Sequence, residues 1–297
     1  MRDISILIPS YNYVCTSLVS ELRRQASQLA IGYEIIVADD GSSDTACTEA
    51  NSKIGTWPQC RFIRMEKNIG RAAIRNMLAR EASLEWLLFL DCDMETGSSN
   101  FLHTYATYDT DKDVLDGGIG IGGRQDMLHG NIRFLYEKKA SARHSAEMRS
   151  LAPYKSFRTT NFMVRRSVML ANPFDERFLH YGYEDVLFGK HLQQNGIQIC
   201  HIDNPTVLTD YESNEVFIAK TEEAMRTLYT FRDDLQGYSR LLDRALRLPQ
   251  WPFVVWHCLF GRWERKNLTG SWPLLALFDI YKIGYFVTLF RKQPLRQ

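Results

Sequence analysis

The chain has 297 residues, 45% hydrophobic and 24% charged. These are the proportions of a folded protein long enough for one large α/β domain plus an appendage, or for two domains. A net charge of +1 makes no case for nucleic acid as a partner. The six cysteines are scattered without a Cys-x-x-Cys, which argues against a disulfide framework or zinc knuckle and suits a reducing compartment. The charge is unevenly shared. Residues 237–297 hold ten Lys/Arg against three acids, a sum of +7, and the rest holds 26 basic and 32 acidic residues, a sum of −6. Such a split suggests a different partner for the tail.

In chain order, Ile4-Ser5-Ile6-Leu7-Ile8 is a first strand, ended by Pro9 and followed by the loop Ser10-Tyr11-Asn12-Tyr13. Leu18, Leu22, Ala26 and Leu29 recur at helical spacing. A second strand, 34–38, runs into Asp39-Asp40-Gly41-Ser42-Ser43-Asp44, where Gly41 permits a sharp turn and Asp44 can cap the next helix. A third strand is expected at 61–65, with the exit loop Asn68-Ile69-Gly70-Arg71 and a helix from 72 to 81. Then comes Trp86-Leu87-Leu88-Phe89-Leu90, an apolar run without polar alternation, which reads as a strand buried on both faces. Four strand-then-helix units in about ninety residues predict a doubly wound, mainly parallel sheet. Its strand exits, carrying Tyr11, Asp39, Asp40, Arg71, Asp91 and Asp93, should line one crevice.

The second half is more mixed. Strands are expected at 114–116, 161–164 and 197–201, and helices over 129–148, after Glu184-Asp185, and over 216–235. No internal repeat or low-complexity segment stands out.

The central stretch is Asp91-Cys92-Asp93 at the end of the buried run. Strand-like alternation points both carboxylates the same way. Their repulsion would be relieved by a hard divalent cation bound through oxygen. This pattern reads as a metal clamp for a phosphate-bearing substrate; taken alone, it also fits solvated turn residues at a strand end.

Five segments occur in order: Ile8-Pro9-Ser10-Tyr11-Asn12, Val37 through Asp44, Asn68 through Asn76, Leu90-Asp91-Cys92-Asp93 and Gly182-Tyr183-Glu184-Asp185. Together they resemble the family 2 glycosyltransferases of the GT-A fold, over about residues 3–235. The resemblance implies a Rossmann-like, mainly parallel mixed sheet flanked by helices. It also implies a nucleotide-sugar donor, most often a UDP-sugar, and transfer of a hexosyl or N-acetylhexosaminyl group with inversion. Pro9, Tyr11, Asn12, Asp39, Asp40, Arg71 and Asp91 are then the donor contacts. Tyr11 would stack on the base, Asp39 or alternatively Asp40 would accept from base or ribose, and Arg71 would face the diphosphate. Asp93, with Asp91 holding the ribose or a metal-bound water, would bind Mn²⁺ or Mg²⁺ to neutralise the departing nucleoside diphosphate. Asp185 is the implied base, taking the proton of the acceptor hydroxyl. Glu184, Tyr183 and Arg124 are expected on the acceptor side, a saccharide or lipid-linked saccharide. Without the other motifs, Glu184 and Asp185 would pass as helix-capping acids.

One departure concerns the metal. Many such enzymes carry a His after an Asn-Pro segment, whereas Asn204-Pro205-Thr206-Val207-Leu208-Thr209-Asp210 has none. Leu208 aligns with that position, and Asp210 could substitute as an oxygen ligand, so the third ligand stays open and weak metal affinity is expected. His201, at a strand position, reads as a core or surface residue. A catalytically degenerate nucleotide- or membrane-binding scaffold is therefore the alternative to an enzyme of glycan assembly. A nucleotidyltransferase would show a Gly-rich basic loop after its first strand, and Pro9-Ser10-Tyr11-Asn12 is not one.

Gly118-Ile119-Gly120-Ile121-Gly122-Gly123 formally matches Gly-x-Gly-x-x-Gly. It comes too late in the chain and lacks a ribose-binding acid, so a flexible acceptor-side loop ending at Arg124 is the better reading.

The expected division is a catalytic domain over 1–236, with a nucleotide half at 1–95 and an acceptor half at 96–236, and a tail over 237–297. The tail holds four of the six Trp, flanked by basic residues, the composition of a segment lying in a membrane interface; packing on the catalytic domain or a dimer contact is the alternative. No uncharged apolar run approaches the ~20 residues of a spanning helix. Met1-Arg2-Asp3-Ile4 enters a strand almost at once, so no signal peptide is expected and the location reads as cytoplasmic, either free or peripheral on the cytosolic membrane face.

Overall fold

The structure, a computed structural model, describes residues 1–124, 126 and 128–292. The first half alternates strand and helix: β1 Ile4–Ser10, α1 Thr16–Ala26, β2 Tyr33–Asp39, α2 Thr45–Ser52, β3 Cys60–Arg64, α3 Arg71–Glu81 and β4 Trp86–Leu90. Asp44 caps α2 by accepting from the Ala46 amide at 2.9 Å. Helix α1 buries Leu18, Val19, Leu22 and Ala26, residues one turn apart, against the sheet.

The remaining body elements are β5 Met94–Thr96, α4 Phe101–Thr107, β6 Val114–Asp116, β7 Ile119–Ile121, α5 Ile132–Ala140, α6 Ala146–Ser150, α7 Pro153–Ser156, β8 Asn161–Arg165, α8 Arg166–Ala171, α9 Glu184–Gln194, β9 Ile199–His201, β10 Thr206–Leu208, α10 Asn214–Thr230 and α11 Arg232–Leu235. The main sheet has the order β3-β2-β1-β4-β8-β6-β9. Neighbours run parallel across β3, β2, β1 and β4 and across β6 and β9, while β8 is antiparallel to both β4 and β6. Every residue of β4 is buried, as its unbroken apolar run requires, although one of its two neighbours is antiparallel. From β1 the chain moves outward to β2 and β3 and then returns to β4 on the other side. The strand order therefore reverses between β1 and β4, where a crevice opens beyond the carboxyl ends.

Several expected elements differ. The helix expected over 129–148 is broken into α5, a tight turn at Ser141–Arg143 and α6. Ser145 and Asp203 account for the break: their side chains accept from the Met148 and Ala146 amides and so begin a new helix. The long helix expected over 216–235 starts at Asn214, capped by Ser213, and breaks at Phe231. There the Phe231 ring stacks on Phe178, with centroids 3.9 Å apart. The strand expected at 197–201 is only β9. The glycine-rich stretch is not a free loop: β7 pairs with β10 in a second, three-stranded sheet β5-β10-β7.

The tail forms α12 Arg240–Arg247, α13 Gln250–Leu268 and α14 Leu275–Lys292. The boundary expected at 236 falls in the turn between α11 and α12, but the apolar cores cross it. Phe178, Leu187, Met225 and Leu228 of the body pack with Leu242, Val254, Phe286 and Val287 of the tail. Ile132 and Ile218 pack with Leu268, Phe278 and Tyr281. Part of the tail's aromatic content thus serves the alternative expected for it, packing on the body.

Candidate active site

The crevice is built from the exits of β1, β2 and β4, the start of α3 and the start of α9. Strand β1 runs through Pro9, its expected end, to Ser10, which pairs with Asp39, and Tyr11 beyond it stands about half exposed. Asn12 adopts a left-handed backbone, φ 50°. Its amide donates to Ser42 Oγ at 2.8 Å and its side-chain carbonyl accepts from the Asp44 amide at 2.9 Å, tying the β1 loop to the β2 loop. Asp39 is buried and accepts from the Ser42 amide and hydroxyl and from Thr48. Asp40 accepts from the Ile69 amide at 2.8 Å and the Gly70 amide at 3.1 Å, so it holds the turn that launches α3. Burial raises the Asp40 carboxyl pKa against those two amides.

Asp91 turns toward α3. Its Oδ1 accepts from Arg75 Nη2 at 2.5 Å and its Oδ2 from Arg71 Nη2 at 3.4 Å. Burial opposes its charge, but the two guanidiniums hold its carboxyl below the ordinary range. Arg71 also donates from Nε to Glu184 Oε1 at 2.8 Å and lies over the Tyr181 ring, 5.4 Å from its centroid. Asp93 has no such partner: among the described residues no side chain donates to it. Burial and the neighbouring Asp91 raise its pKa, with Arg133 and Arg71 opposing. Tyr13 lies close by and donates to Asp210 Oδ2 at 3.4 Å; burial, Asp210 and Asp93 push its phenol up to about 12.

Helix α9 begins after two left-handed residues, Gly182 at φ 100° and Tyr183 at φ 69°. A Cβ on Gly182 would lie 2.8 Å from Ala224 on α10, so glycine permits a close approach as well as the turn. Such a backbone is uncommon for tyrosine and costs of order 1–3 kcal/mol. It is held because the Tyr183 ring packs in the core shared with the tail and its hydroxyl meets Ser239. Glu184 is buried and paired to Arg71. Asp185 accepts from the Val186 amide at 2.8 Å. Burial and Glu184 raise its pKa to about 6, against Arg158 and Arg71.

Arg71 is the charge common to this cluster, acting on Asp91, Glu184, Asp93 and Asp185. The structure thus gathers Arg71, Asp91, Asp93, Glu184 and Asp185. It places Tyr183 in the packing beneath α9, its hydroxyl at Ser239. Arg124 is exposed and paired with Asp126 at 3.5 Å, away from this cluster. His201 is a core residue, held by Arg149, Asp116 and the Pro153 carbonyl. Among the described residues no three His, Cys, Asp or Glu side chains group to hold a metal ion.

The sequence reading missed three contributors. Arg75 is fully buried and makes the shorter of the two bonds to Asp91; its position one turn after Arg71 on α3 was a usable signal. Asn76 accepts from the Phe174 amide and donates to the Phe174 carbonyl, fixing the segment that leads to α9. Arg158 faces Asp185 from a loop, and no local pattern marks it.

Comparison with known proteins places this geometry. The family model described as Glycosyl transferase family 2 matches residues 5–171, and the chain belongs to that family. A chondroitin synthase from Escherichia coli is 24% identical over 225 residues, 65% of this chain and 32% of that protein. An uncharacterized glycosyltransferase, YfnE, from Bacillus subtilis is 24% identical over 289 residues, 80% of this chain and 72% of that one. The chain covers only 29% of an uncharacterized glycosyltransferase from Haemophilus influenzae and 14% of a teichoic acid poly(glycerol phosphate) polymerase from Staphylococcus epidermidis. Among solved structures, S. aureus TarS 1-349 matches with a TM-score of 0.52 and 18% identity over 99% of this chain and 93% of its own. A mannosyltransferase from Pyrobaculum calidifontis matches with a TM-score of 0.59 and 14% identity over 98% and 88%. Both show the mixed, mainly parallel α/β fold of this family's GT-A members.

Proposed function

We propose that the chain transfers a sugar from a nucleotide-sugar, a UDP-sugar, to a hydroxyl of a saccharide or lipid-linked saccharide, with inversion at the anomeric carbon, in glycan assembly. The observation that carries this reading is the gathering of Asp91, Asp93, Glu184 and Asp185 around Arg71 at the β1/β4 crevice. Similarity adds support: TarS has been solved with UDP-GlcNAc and with UDP, and the Pyrobaculum enzyme with GDP-Man and Mn²⁺.

In this reading Tyr11 stacks on the base, which is typically worth ~1–3 kcal/mol. Pro9 and Asn12 shape the loop that carries it. Asp39 accepts from base or ribose, while Asp40 contributes by holding the turn before Arg71. Arg71 is positioned for the diphosphate and Asp91 for the ribose side. Asp93 is the acid that fits a divalent cation. It lacks a cationic hydrogen-bond partner and its charge is penalised by burial and by Asp91. The cation, Mn²⁺ or Mg²⁺, would supply charge neutralisation of the departing diphosphate. Asp93 would hold it, and among the described residues no group of three His, Cys, Asp or Glu forms a protein cage for it. Asp185 accepts the proton of the attacking hydroxyl. One face of the sugar is attacked as the nucleotide leaves from the other, which inverts the centre. Glu184 orients the acceptor hydroxyl, and Tyr183 supports it from the packing beneath α9.

Calorimetric titration of UDP with and without Mn²⁺, on the native chain and on Asp93→Ala, tests the donor site. Binding should require both the metal and Asp93. UDP binding indifferent to both would remove the metal clamp. The incomplete metal ligand set favours one second reading, a degenerate nucleotide-binding scaffold. Binding without transfer across a panel of UDP-sugars would establish it.

A further inference from the structure

Nineteen large hydrophobic side chains are exposed among the described residues, and eleven of them lie between 246 and 280. Trp251, Leu259, Trp263 and Trp272 are each more than half exposed. This is one face and not a scatter. Along α13 the exposed positions 251, 255, 256, 258, 259, 260, 262, 263 and 266 occupy the half of the helix opposite its buried Val254, Gly261, Glu264 and Leu268, and Trp272 follows in the turn to α14. Exposed apolar patches of this kind mark interaction sites.

The exposed charged residues of α13 and of the preceding helix α12 are all basic. Arg240, Arg244 and Arg247 repeat one turn apart on α12, all exposed, and Arg262 and Lys266 lie among the aromatics of α13. None of the five forms an ion pair with a described residue. The local acids are engaged elsewhere. Glu264 is fully buried, accepting from Trp256 Nε1 at 2.7 Å. Asp243 accepts from the Gly237 amide, and Asp279 faces Lys139 and Lys282.

We propose that this face docks on an anionic lipid bilayer, lying in its interface. The aromatics would enter the headgroup boundary, indole N–H groups would meet its polar atoms, and the five cations would pair with acidic headgroups. No described helix is long and apolar enough to cross a membrane. A second copy of the chain fits less well. A two-fold contact sets each patch against itself, bringing two rows of arginines together with almost no acid to offset them. Docking here also has a consequence for the site. Ser239, which Tyr183 reaches, caps α12, and Tyr183 immediately precedes Glu184 and Asp185. The bilayer would thus meet the protein on the side that supports α9, suited to an acceptor carried on lipid; this last step rests on the proposed transfer, whereas the docking itself does not.

Vesicle co-sedimentation of the full chain tests it. The native chain should bind vesicles of phosphatidylglycerol and phosphatidylcholine, release in high salt, and bind phosphatidylcholine alone poorly. Each basic residue near such a surface contributes about fivefold in affinity. Arg240→Ala/Arg244→Ala/Arg247→Ala should therefore lose roughly a hundredfold, and Trp251→Ser/Trp263→Ser should also bind weakly, while UDP titration of both variants stays native. Vesicle binding that neither variant changes would overturn the proposal. So would its absence in the native chain, or a concentration-dependent dimer in sedimentation velocity that the Trp variant abolishes.

Discussion

Asp185 is both useful and costly. Its pKa of about 6 stands above the ordinary 3.8 because burial and Glu184 penalise the charged form. The folded protein therefore binds this proton more tightly than the unfolded chain, so this group's contribution to stability falls as pH rises from about 4 to about 6 and stays low above that. Asp185→Asn should stabilise the protein at pH 7.5 by of order 1–3 kcal/mol and hardly at all at pH 4, measured as urea midpoints at the two values. The same variant should lose about 10²–10⁴-fold in transfer with UDP binding kept. Native-like transfer would remove Asp185 as the base, and for the native chain the rate should drop tenfold per pH unit below about 6. Arg75 works the other way. It is fully buried and bonded to a charged Asp91, and removing one member of such a pair leaves the other uncompensated. Arg75→Met should cost about 3–5 kcal/mol in denaturant unfolding, and adding Asp91→Asn should recover part of it. A single variant as stable as the native chain would mean that Arg71 alone neutralises Asp91.

Turns, more than strands, decide where the elements aim these groups. Gly41 sits at φ 69°, and a Cβ there would lie 2.4 Å from the Lys67 carbonyl carbon. That close approach lets Asp40 reach the Ile69 and Gly70 amides and so sets the direction in which α3 delivers Arg71 and Arg75. Gly41→Ala adds about 1–2 kcal/mol of left-handed strain to the clash with backbone. It should lower the urea midpoint clearly and weaken UDP binding in calorimetry; unchanged values of both would show that the 67–70 turn can move aside. The breaks at Ser145 and Phe231 are turn decisions of the same kind. In each, a side chain or a ring contact from elsewhere ends a helix whose local pattern would continue.

At the scale of the whole molecule, the tail is part of the body's core. Met225, Leu228 and Phe178 are covered by Leu242, Val254 and Phe286, and the left-handed Tyr183 is held by Ser239. Removing 237–297 should therefore do more than detach the protein from vesicles. The shortened chain should melt at lower temperature, bind a dye for exposed apolar surface, and lose order at the start of α9. A shortened chain with native melting and transfer would show that the body supports α9 by itself.

Strands β2 and β4 were legible because each centres on an unbroken apolar run closed by polar residues, a local signal that burial on both faces enforces. The gathering of Tyr11, Asp39, Arg71, Asp91 and Asp93 at one sheet edge followed from the alternation of strand and helix, which leaves few topologies. The pairing of Asp91 with Arg75, the joining of α3 to the 174 segment through Asn76 and the burial of the tail's Phe278, Tyr281 and Phe286 were not legible. They depend on distances between residues far apart in the chain, and composition alone cannot tell an aromatic facing the core from one facing outward. Sequence alone thus determined the order of the first-half strands and helices and brought Arg71 and the acids Asp91 and Asp93 to one sheet edge. Tertiary structure decided which acids are bonded to arginine, as Asp91 and Glu184 are, and which, like Asp93, are bonded to none among the described residues, because that depends on the packing of α3 and α9 against the end of β4.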